Sequence, residues 1–284
     1  MNGILIICEG KHDVSYLSLL LELLGFSEYK KNISEFDQPL KDLFINQLGT
    51  FDYDNNRLRK GPNLPVIFKQ PNNHQQFAIL YAIDGLRNIE KAKEVIFNYR
   101  TAIEFGKIDT KNLIDLSLCM IFDADDVGID GRIEKMIEEY KENIENLENA
   151  KHNSIIIEKD FKSFGSYIIA NDDGFGNLED ILIANLNRNS NQKAKIENAA
   201  KYLEQFAFKR TKLVKGKPPI KDEKKTNSDF NKSLIALSGQ FEFSGLDNGE
   251  LIRKHNDLKG LLSGDAKSKE IIALLKGLLK KARD

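Results

Sequence analysis

Two apolar runs that each end in acidic residues constrain the fold of this chain more than any other feature. Residues 4–8 (ILIIC) and 116–122 (LSLCMIF) have the length of strands and are almost entirely apolar. Such runs are typical of strands that are buried on both faces of a parallel sheet. Each run is followed by an acidic turn that contains glycine, and then by a pattern of helical length. The chain is therefore predicted to be an α/β protein.

Further segments continue this alternation. Helices are predicted over 14–24, 89–105, 132–147, 178–186 and 193–206, and strands over 64–69, 77–83, 154–157 and 167–169. Strands that alternate with helices favour a parallel sheet with right-handed crossovers and helices on its faces.

The composition changes near residue 207. Residues 207–226 hold eight lysine or arginine residues against two acidic ones, with two adjacent prolines. We interpret this segment as a basic linker or arm. It separates a predicted N-terminal domain, residues 1–206, from a small helical C-terminal region, residues 227–284. Helices are predicted there at 229–237, 249–262 and 267–282.

Composition excludes several classes of protein. The 42 Lys and Arg residues balance 43 Asp and Glu residues, so any contact with nucleic acid must come from a local cluster. Cys8 and Cys119 lie in the apolar runs and form no disulfide framework, which fits a reducing cytoplasm. No stretch approaches ~20 apolar residues, and the first residues lack a signal-peptide pattern. We therefore expect a cytoplasmic protein without a membrane partner.

Acidic residues directly follow both apolar runs. In an open parallel sheet the carboxyl ends of the strands form the ligand-binding edge, so Glu9 and Asp123 are predicted to converge. If the second strand continues to Asp125, that carboxylate points to the same side as Asp123. Like charges at this density repel unless a divalent cation neutralises them. Mg²⁺ (or Mn²⁺) is the natural occupant, since it prefers oxygen ligands and the chain lacks the Cys/His spacing of zinc sites.

Three motifs resemble those of a known family. ILIICEGKHD and CMIFDADDVG resemble the Toprim signature, in which a Glu-Gly turn follows the first strand and an Asp-x-Asp turn follows a later one. GFGNLEDILIAN resembles the Gly-x-Leu-Glu-Asp segment of small stand-alone Toprim-like proteins related to OLD-family nucleases and phage-defence effectors. The resemblance covers about residues 3–186. It implies a Toprim-like catalytic domain and a metal-dependent nuclease that cleaves nucleic-acid phosphodiesters.

The resemblance also implies the residues of the site. The catalytic acids would be Glu9, Asp123 and Asp125. The metal ligands would be Glu9, Asp13, Asp123, Asp125, Asp126, Glu179 and Asp180. Two metal ions could activate water and stabilise the leaving oxygen. For Glu179 and Asp180, the alternative is that they are only first-turn acids favoured by a helix dipole.

Several cations are predicted to contact DNA or RNA. The predicted nucleic-acid-binding residues are Lys11, Lys209, Arg210, Lys212, Lys215 and Lys217. The basic segment could instead be only a soluble linker. The sequence has no phosphate-loop motif, so an ATP-driven step would need a separate ATPase as a partner. Assembly of the chain into a homo-oligomer also stays open.

Two other functions stay open. FDADDVG also resembles the strand-end motif of haloacid-dehalogenase-like phosphatases, with Asp123 as nucleophile and Asp125 as general acid. Lys159, Asp172 and Asp173 could supply its remaining motifs, although that family usually places this motif on its first strand. The third possibility is a catalytically silent nucleic-acid-binding partner of an ATPase.

Overall fold

A seven-stranded sheet forms the centre of the molecule. The computed structural model describes residues 1–30, 35–36, 40–41, 65–85, 88–108, 114–205, 210–212, 220–222 and 227–280. The strands of the sheet are β1 (Asn2–Cys8), β2 (Ser27–Glu28), β3 (Val66–Gln70), β4 (Asn73–Ala82), β5 (Asp115–Asp123), β6 (Ser154–Ile156) and β7 (Phe164–Ile169). They lie in the order β2-β3-β4-β1-β5-β7-β6. The four central strands, β4, β1, β5 and β7, are parallel, which confirms the predicted α/β class.

The two edges of the sheet are antiparallel. β3 pairs antiparallel with both β2 and β4, and β6 pairs antiparallel with β7. Only residues 71–72 connect β3 to β4. A connection this short forms a hairpin and leaves no room for the crossover helix that parallel neighbours need. The sheet is therefore mixed, although mostly parallel.

Helices cover both faces of the sheet. They are α1 (Lys11–Leu23), α2 (Ile89–Ile108), α3 (Gly128–Tyr140), α4 (Leu178–Leu186), α5 (Ser190–Gln205), α6 (Asn227–Gln240), α7 (Asn248–Lys254), α8 (Asn256–Gly264) and α9 (Ala266–Leu279). Successive residues of a strand point to opposite faces. Ile4 and Ile6 of β1 pack in one core with α1, α4 and the C-terminal helices, whereas Leu5 and Ile7 pack in a second core with α2 and α3. No helix in the described ranges combines the length and the apolar character that crossing a membrane requires.

The helical C-terminal region packs directly on the sheet. α9 lies against β1, β6 and β7, and its residues Leu275 and Leu278 are buried. The hydroxyl of Ser117 on β5 donates to the carbonyl oxygen of Leu278 at 3.0 Å. The prediction of one helix over 249–262 is wrong, because the extended backbone of His255 (φ −68°, ψ 103°) separates α7 from α8.

Part of the predicted basic arm is a β-hairpin. β8 (Arg210–Lys212) pairs antiparallel with β9 (Ile220–Asp222). Lys209, Lys215 and Lys217 lie outside the described residues, and only the backbone of Arg210 and Lys212 is described. The role of this segment in binding nucleic acid stays a prediction.

Candidate metal centre

Glu9 joins the ends of two central strands. It follows β1, and its Oε1 accepts a hydrogen bond of 3.0 Å from the backbone N–H of Asp123, the last residue of β5. β1 and β5 are parallel neighbours in the sheet. Both acids therefore lie together at the carboxyl edge, where ligands bind in sheets of this kind.

Asp123 in turn fixes the start of α4. Its Oδ1 accepts a hydrogen bond of 3.0 Å from the backbone N–H of Leu178. The first N–H groups of a helix have no partner within the helix and favour a nearby carboxylate. This contact brings the Leu-Glu-Asp segment, which includes Glu179, to the two acids at the strand ends.

Asp13 adds a third carboxylate from the first turn of α1. Its Oδ2 accepts a hydrogen bond of 2.9 Å from the backbone N–H of Gly10, the residue that precedes α1. The residue is 5% exposed, and its Oδ1 is buried with no hydrogen-bond partner among the described residues. Buried polar atoms are normally paired. This oxygen is therefore placed to take a ligand.

Glu179 is the fourth carboxylate and is only 2% exposed. Its Oε1 accepts a hydrogen bond of 2.8 Å from Nδ1 of His12. The same oxygen lies 3.9 Å from Nζ of Lys232, which α6 supplies. A buried charge is costly unless it is paired, and these two contacts offset part of that cost.

The four carboxylates line one open cleft of about 650 Å³. Lys11, His12 and Lys232 also line it. The acids come from the ends of β1 and β5 and from the first turns of α1 and α4. Acidic and basic groups thus share one cleft, a combination that suits a cation and a phosphate bound side by side.

Burial raises the pKa of the carboxyl groups in this cleft. It raises the pKa of Glu9 from 4.5 to about 7, and the negative charge of Asp125 adds to the effect. Burial also raises the pKa of Asp13 from 3.8 to about 8, with further contributions from Glu9 and Glu179. The pKa of Asp123 is raised well above its usual value by burial, then by Asp13 and Glu9. A bound divalent cation would oppose these shifts, because it favours the ionised carboxylates.

Asp125 departs from its predicted position. β5 ends at Asp123, so the expectation that the strand continues and presents both carboxylates on one side is wrong. Asp125 has a left-handed backbone (φ 48°) and exchanges two backbone hydrogen bonds of 2.7 and 3.0 Å with Gly176. Its Oδ2 accepts a hydrogen bond of 2.8 Å from Arg132. Asp125 does not line the described cleft, although its charge acts on Glu9.

Two further candidate ligands also lie away from the cleft lining. Asp126 is exposed in the turn before α3. Asp180 caps α4, since its Oδ2 accepts a hydrogen bond of 3.0 Å from the backbone N–H of Asn177. Its Oδ1 accepts a bond of 2.6 Å from the side chain of Asn231. The geometry of Asp180 thus supports the first-turn role that the sequence left open.

Two basic residues of the site, Arg132 and Lys232, are absent from the sequence-based expectations. Arg132 on α3 donates to the carbonyl oxygen of Asp123 at 2.8 Å as well as to Asp125. Its place one helical turn after the acidic motif is a signal that could have identified it. Lys232 offers no such signal, because the sequence does not specify which face of α6 meets α4.

The remaining features of the phosphatase alternative lie away from the cleft. Lys159 precedes β7 and therefore lies at the amino edge of the parallel strands, opposite to Asp123. Asp172 forms an ion pair of 3.2 Å with Lys267, and Asp173 accepts a hydrogen bond of 3.1 Å from the backbone of Phe175. None of these three candidates lines the described cleft.

Gly176 connects the Asp125 turn to α4 in a conformation that other residues rarely adopt. Its φ is +95°, and an added Cβ would lie 2.5 Å from Asp180 Oδ2 and from Asn171 Nδ2. Gly176→Ala is expected to lower the free energy of unfolding by about 1–3 kcal/mol through backbone strain, with a further loss from the clash. At Gly174 (φ +85°) an added Cβ would have only Ile129 Cδ1 within 4 Å, at 3.9 Å. Urea unfolding of Gly176→Ala and Gly174→Ala measures both losses of stability. If the two variants lose the same free energy of unfolding, the clash at Gly176 does not occur.

The donor set of the cleft suits a hard divalent cation. Glu9, Asp13, Asp123 and Glu179 offer only oxygen atoms, which Mg²⁺ and Mn²⁺ prefer. The buried Oδ1 of Asp13 has no hydrogen-bond partner among the described residues, so binding a cation there would break no hydrogen bond of this oxygen. Within the described part of the chain, no group of three or more His, Cys, Asp or Glu side chains lies close enough together to hold a metal ion as the side chains stand.

No protein-family model, curated protein or solved structure matches the chain.

Proposed function

We propose that this protein is a Mg²⁺- or Mn²⁺-dependent enzyme of Toprim type that cleaves phosphodiester bonds in nucleic acid. The observation that carries the proposal is the convergence of Glu9, Asp13, Asp123 and Glu179 on one cleft at the carboxyl edge of the sheet. Three of these four residues belong to the motifs that resemble the Toprim signature, and Glu179 belongs to the accompanying Gly-x-Leu-Glu-Asp segment.

Each group in the cleft has a role that follows from its chemistry. The four carboxylates would hold the cation, and Asp125 and Arg132 would support Asp123 from outside the lining. When bound, the cation supplies a Lewis acid for a phosphate oxygen and lowers the pKa of bound water. Lys11 and Lys232 line the same cleft and present ammonium groups that attract a phosphate.

Metal titration of single variants tests the site. Asp123→Asn or Glu9→Gln is expected to weaken Mn²⁺ binding at least about tenfold, since even residues that only support a metal ligand cost 10- to 100-fold. Both amides keep an oxygen that can accept the backbone hydrogen bonds seen here. The fold should therefore survive. Calorimetric titration near pH 8 measures the affinity.

Asp126→Asn is the matched control for this titration. Asp126 belongs to the same motif as Asp123 but is exposed and does not line the described cleft. The affinity of this variant for Mn²⁺ should stay within about twofold of the parent, because salt screens an exposed charge that does not line the cleft. If Asp123→Asn binds like the parent, or if Asp126→Asn loses as much affinity, the proposed centre is misplaced.

Substrate assays separate the proposed nuclease from its alternatives. We expect metal-dependent cleavage of DNA or RNA that Asp123→Asn abolishes. Phosphate release from monoesters without cleavage of polymers would favour the phosphatase. Binding of nucleic acid without turnover, alone or with an added ATPase, would favour the silent partner.

The basic segment is expected to bind phosphates of the nucleic acid. Changing Lys209, Arg210, Lys212 and Lys215 to Gln should reduce the salt dependence of nucleic-acid binding by about 0.9 in the log–log slope for each phosphate that is no longer neutralised. Metal affinity should stay unchanged, because these residues supply substrate attraction and no ligands. Binding is measured by fluorescence anisotropy across salt concentrations. Equal slopes for parent and variant would establish a plain linker.

A further inference from the structure

Glu179 has two neighbouring side chains with nitrogen donors, His12 and Lys232, which differ in their distance from the carboxylate and in their rigidity. Nδ1 of His12 lies 2.8 Å from Oε1, whereas Nζ of Lys232 lies 3.9 Å from the same atom. The side chain of His12 is 23% exposed and that of Lys232 is 46% exposed. The histidine is therefore the shorter and more enclosed contact.

The backbone around His12 is held in place. His12 lies in the first turn of α1, between Gly10 and Asp13. The backbone N–H of Gly10 donates a hydrogen bond of 2.9 Å to Oδ2 of Asp13 and so joins these two residues. The side chain of histidine has few rotatable bonds, so on a helical turn held in this way it loses little conformational freedom when it makes a hydrogen bond. The side chain of Lys232 has a flexible four-carbon stem, so it loses more conformational freedom than His12 when it contacts Glu179.

We propose that His12 is a positioning residue that holds the carboxylate of Glu179 toward the cleft and keeps it from a closer ion pair with Lys232 than the 3.9 Å seen here. The inference rests on the proposed function, because it assigns Glu179 as a metal ligand. Hydrogen bonds from neighbouring residues commonly orient ligating carboxylates in this manner. Lys232 is left with its ammonium group available for phosphate.

Orientation and charge make opposite predictions for His12. If His12 acted only through positive charge, its removal would strengthen the binding of a divalent cation, because one repulsive neighbour would be gone. If it orients Glu179, its removal weakens binding, because the carboxylate can then turn to Lys232. The sign of the change in affinity therefore separates the two roles.

The position of the donor atom gives a second test. In an asparagine at position 12, the amide Nδ2 takes the place of the histidine Nδ1. In a glutamine, the amide is one carbon further from the backbone. Asparagine should therefore preserve the contact with Glu179, whereas glutamine and alanine should not.

The experiment is a calorimetric titration of the full chain with Mn²⁺. His12→Ala and His12→Gln are expected to lower affinity about 10- to 100-fold, with His12→Asn within about threefold of the parent. Adding His12→Ala to Glu179→Gln should cause no further loss, because the contact is already broken. Melting in EDTA verifies that each variant is folded, and a variant that is not folded is replaced by His12→Ser, for which the same loss is expected.

The possible results separate the positioning role of His12 from the proposed metal-dependent function. Unchanged or higher affinity in His12→Ala overturns the positioning role, and so does an asparagine variant as weak as the alanine variant. The metal centre stands in either case if Asp123→Asn still loses affinity. A parent protein that binds no Mn²⁺ overturns the proposed function itself, and the inference with it.

Discussion

Leu275→Asp is expected to prevent folding at 25 °C. Leu275 is fully buried in α9, in the same core as Ile4 and Ile6 of β1. Losing a buried leucine costs about 2–5 kcal/mol. Burying an unpaired carboxylate there costs several kcal/mol more, which together approach the 5–15 kcal/mol by which domains are typically stable. Near-UV circular dichroism and urea unfolding measure the loss.

Ala273→Asp is the matched control for that variant. Ala273 lies on the same helix but is exposed, so the new carboxylate stays in water. Surface substitutions of this kind usually change stability by less than about 0.5 kcal/mol. If the two variants unfold at the same urea concentration, α9 does not cover the sheet in solution.

The central fold could be predicted because burial leaves a clear pattern. Residues 4–8 and 116–122 are apolar at nearly every position, as strands covered on both faces must be. The antiparallel β3 is harder to recognise, because its length and composition resemble those of a parallel strand. Its orientation depends on the turn at Pro71 and Asn72, a residue pair that favours turns. The Pro-Asn pair therefore indicates a hairpin, whereas the apolar pattern of the strand does not reveal its orientation.

The candidate site could be predicted only in part. Glu9 and Asp123 follow strands, and strand order alone brings them together. The position of Asp125 could not be predicted by extending β5, because its backbone has a positive φ and pairs with Gly176, about fifty residues away. Lys232 depends on how α6 packs on α4. A tertiary contact of this kind leaves no periodic signal in either helix.

The metal-free protein is expected to lose stability as pH rises from about 4 to about 8. Folding raises the pKa of Glu9 from 4.5 to about 7 and that of Asp13 from 3.8 to about 8. Between these values the folded state binds more protons than the unfolded state, so the free energy of unfolding falls with pH. Each pKa unit corresponds to about 1.4 kcal/mol, so the two shifts set an upper bound of about 9 kcal/mol, which is not reached in full because the charge of Glu9 contributes to the shift of Asp13. Urea unfolding in EDTA across this range measures it.

Asp13→Asn should flatten this pH dependence and should be more stable than the parent at pH 8. The amide cannot ionise, and it keeps an oxygen that can accept the hydrogen bond from Gly10. Glu134→Gln, on the exposed face of α3, is the control and should keep the slope of the parent. Adding Mg²⁺ at pH 8 should restore stability to the parent, because a ligand that binds only the folded state stabilises it. A parent protein that is equally stable at pH 5 and pH 8 in EDTA would refute the unfavourable burial of these acids.

The packing of α9 also bears on the order in which the protein folds during its synthesis. All seven strands of the central sheet precede residue 170 in the chain, whereas the helix that covers one face of β1 and β7 spans Ala266–Leu279. Synthesis proceeds from the N-terminus at about 5–20 residues per second. The strands therefore leave the ribosome several seconds before their covering helix does. Lys232 likewise emerges after every acid of the cleft. A nascent chain would thus carry all four acids of the cleft before Lys232 and α9 are in place.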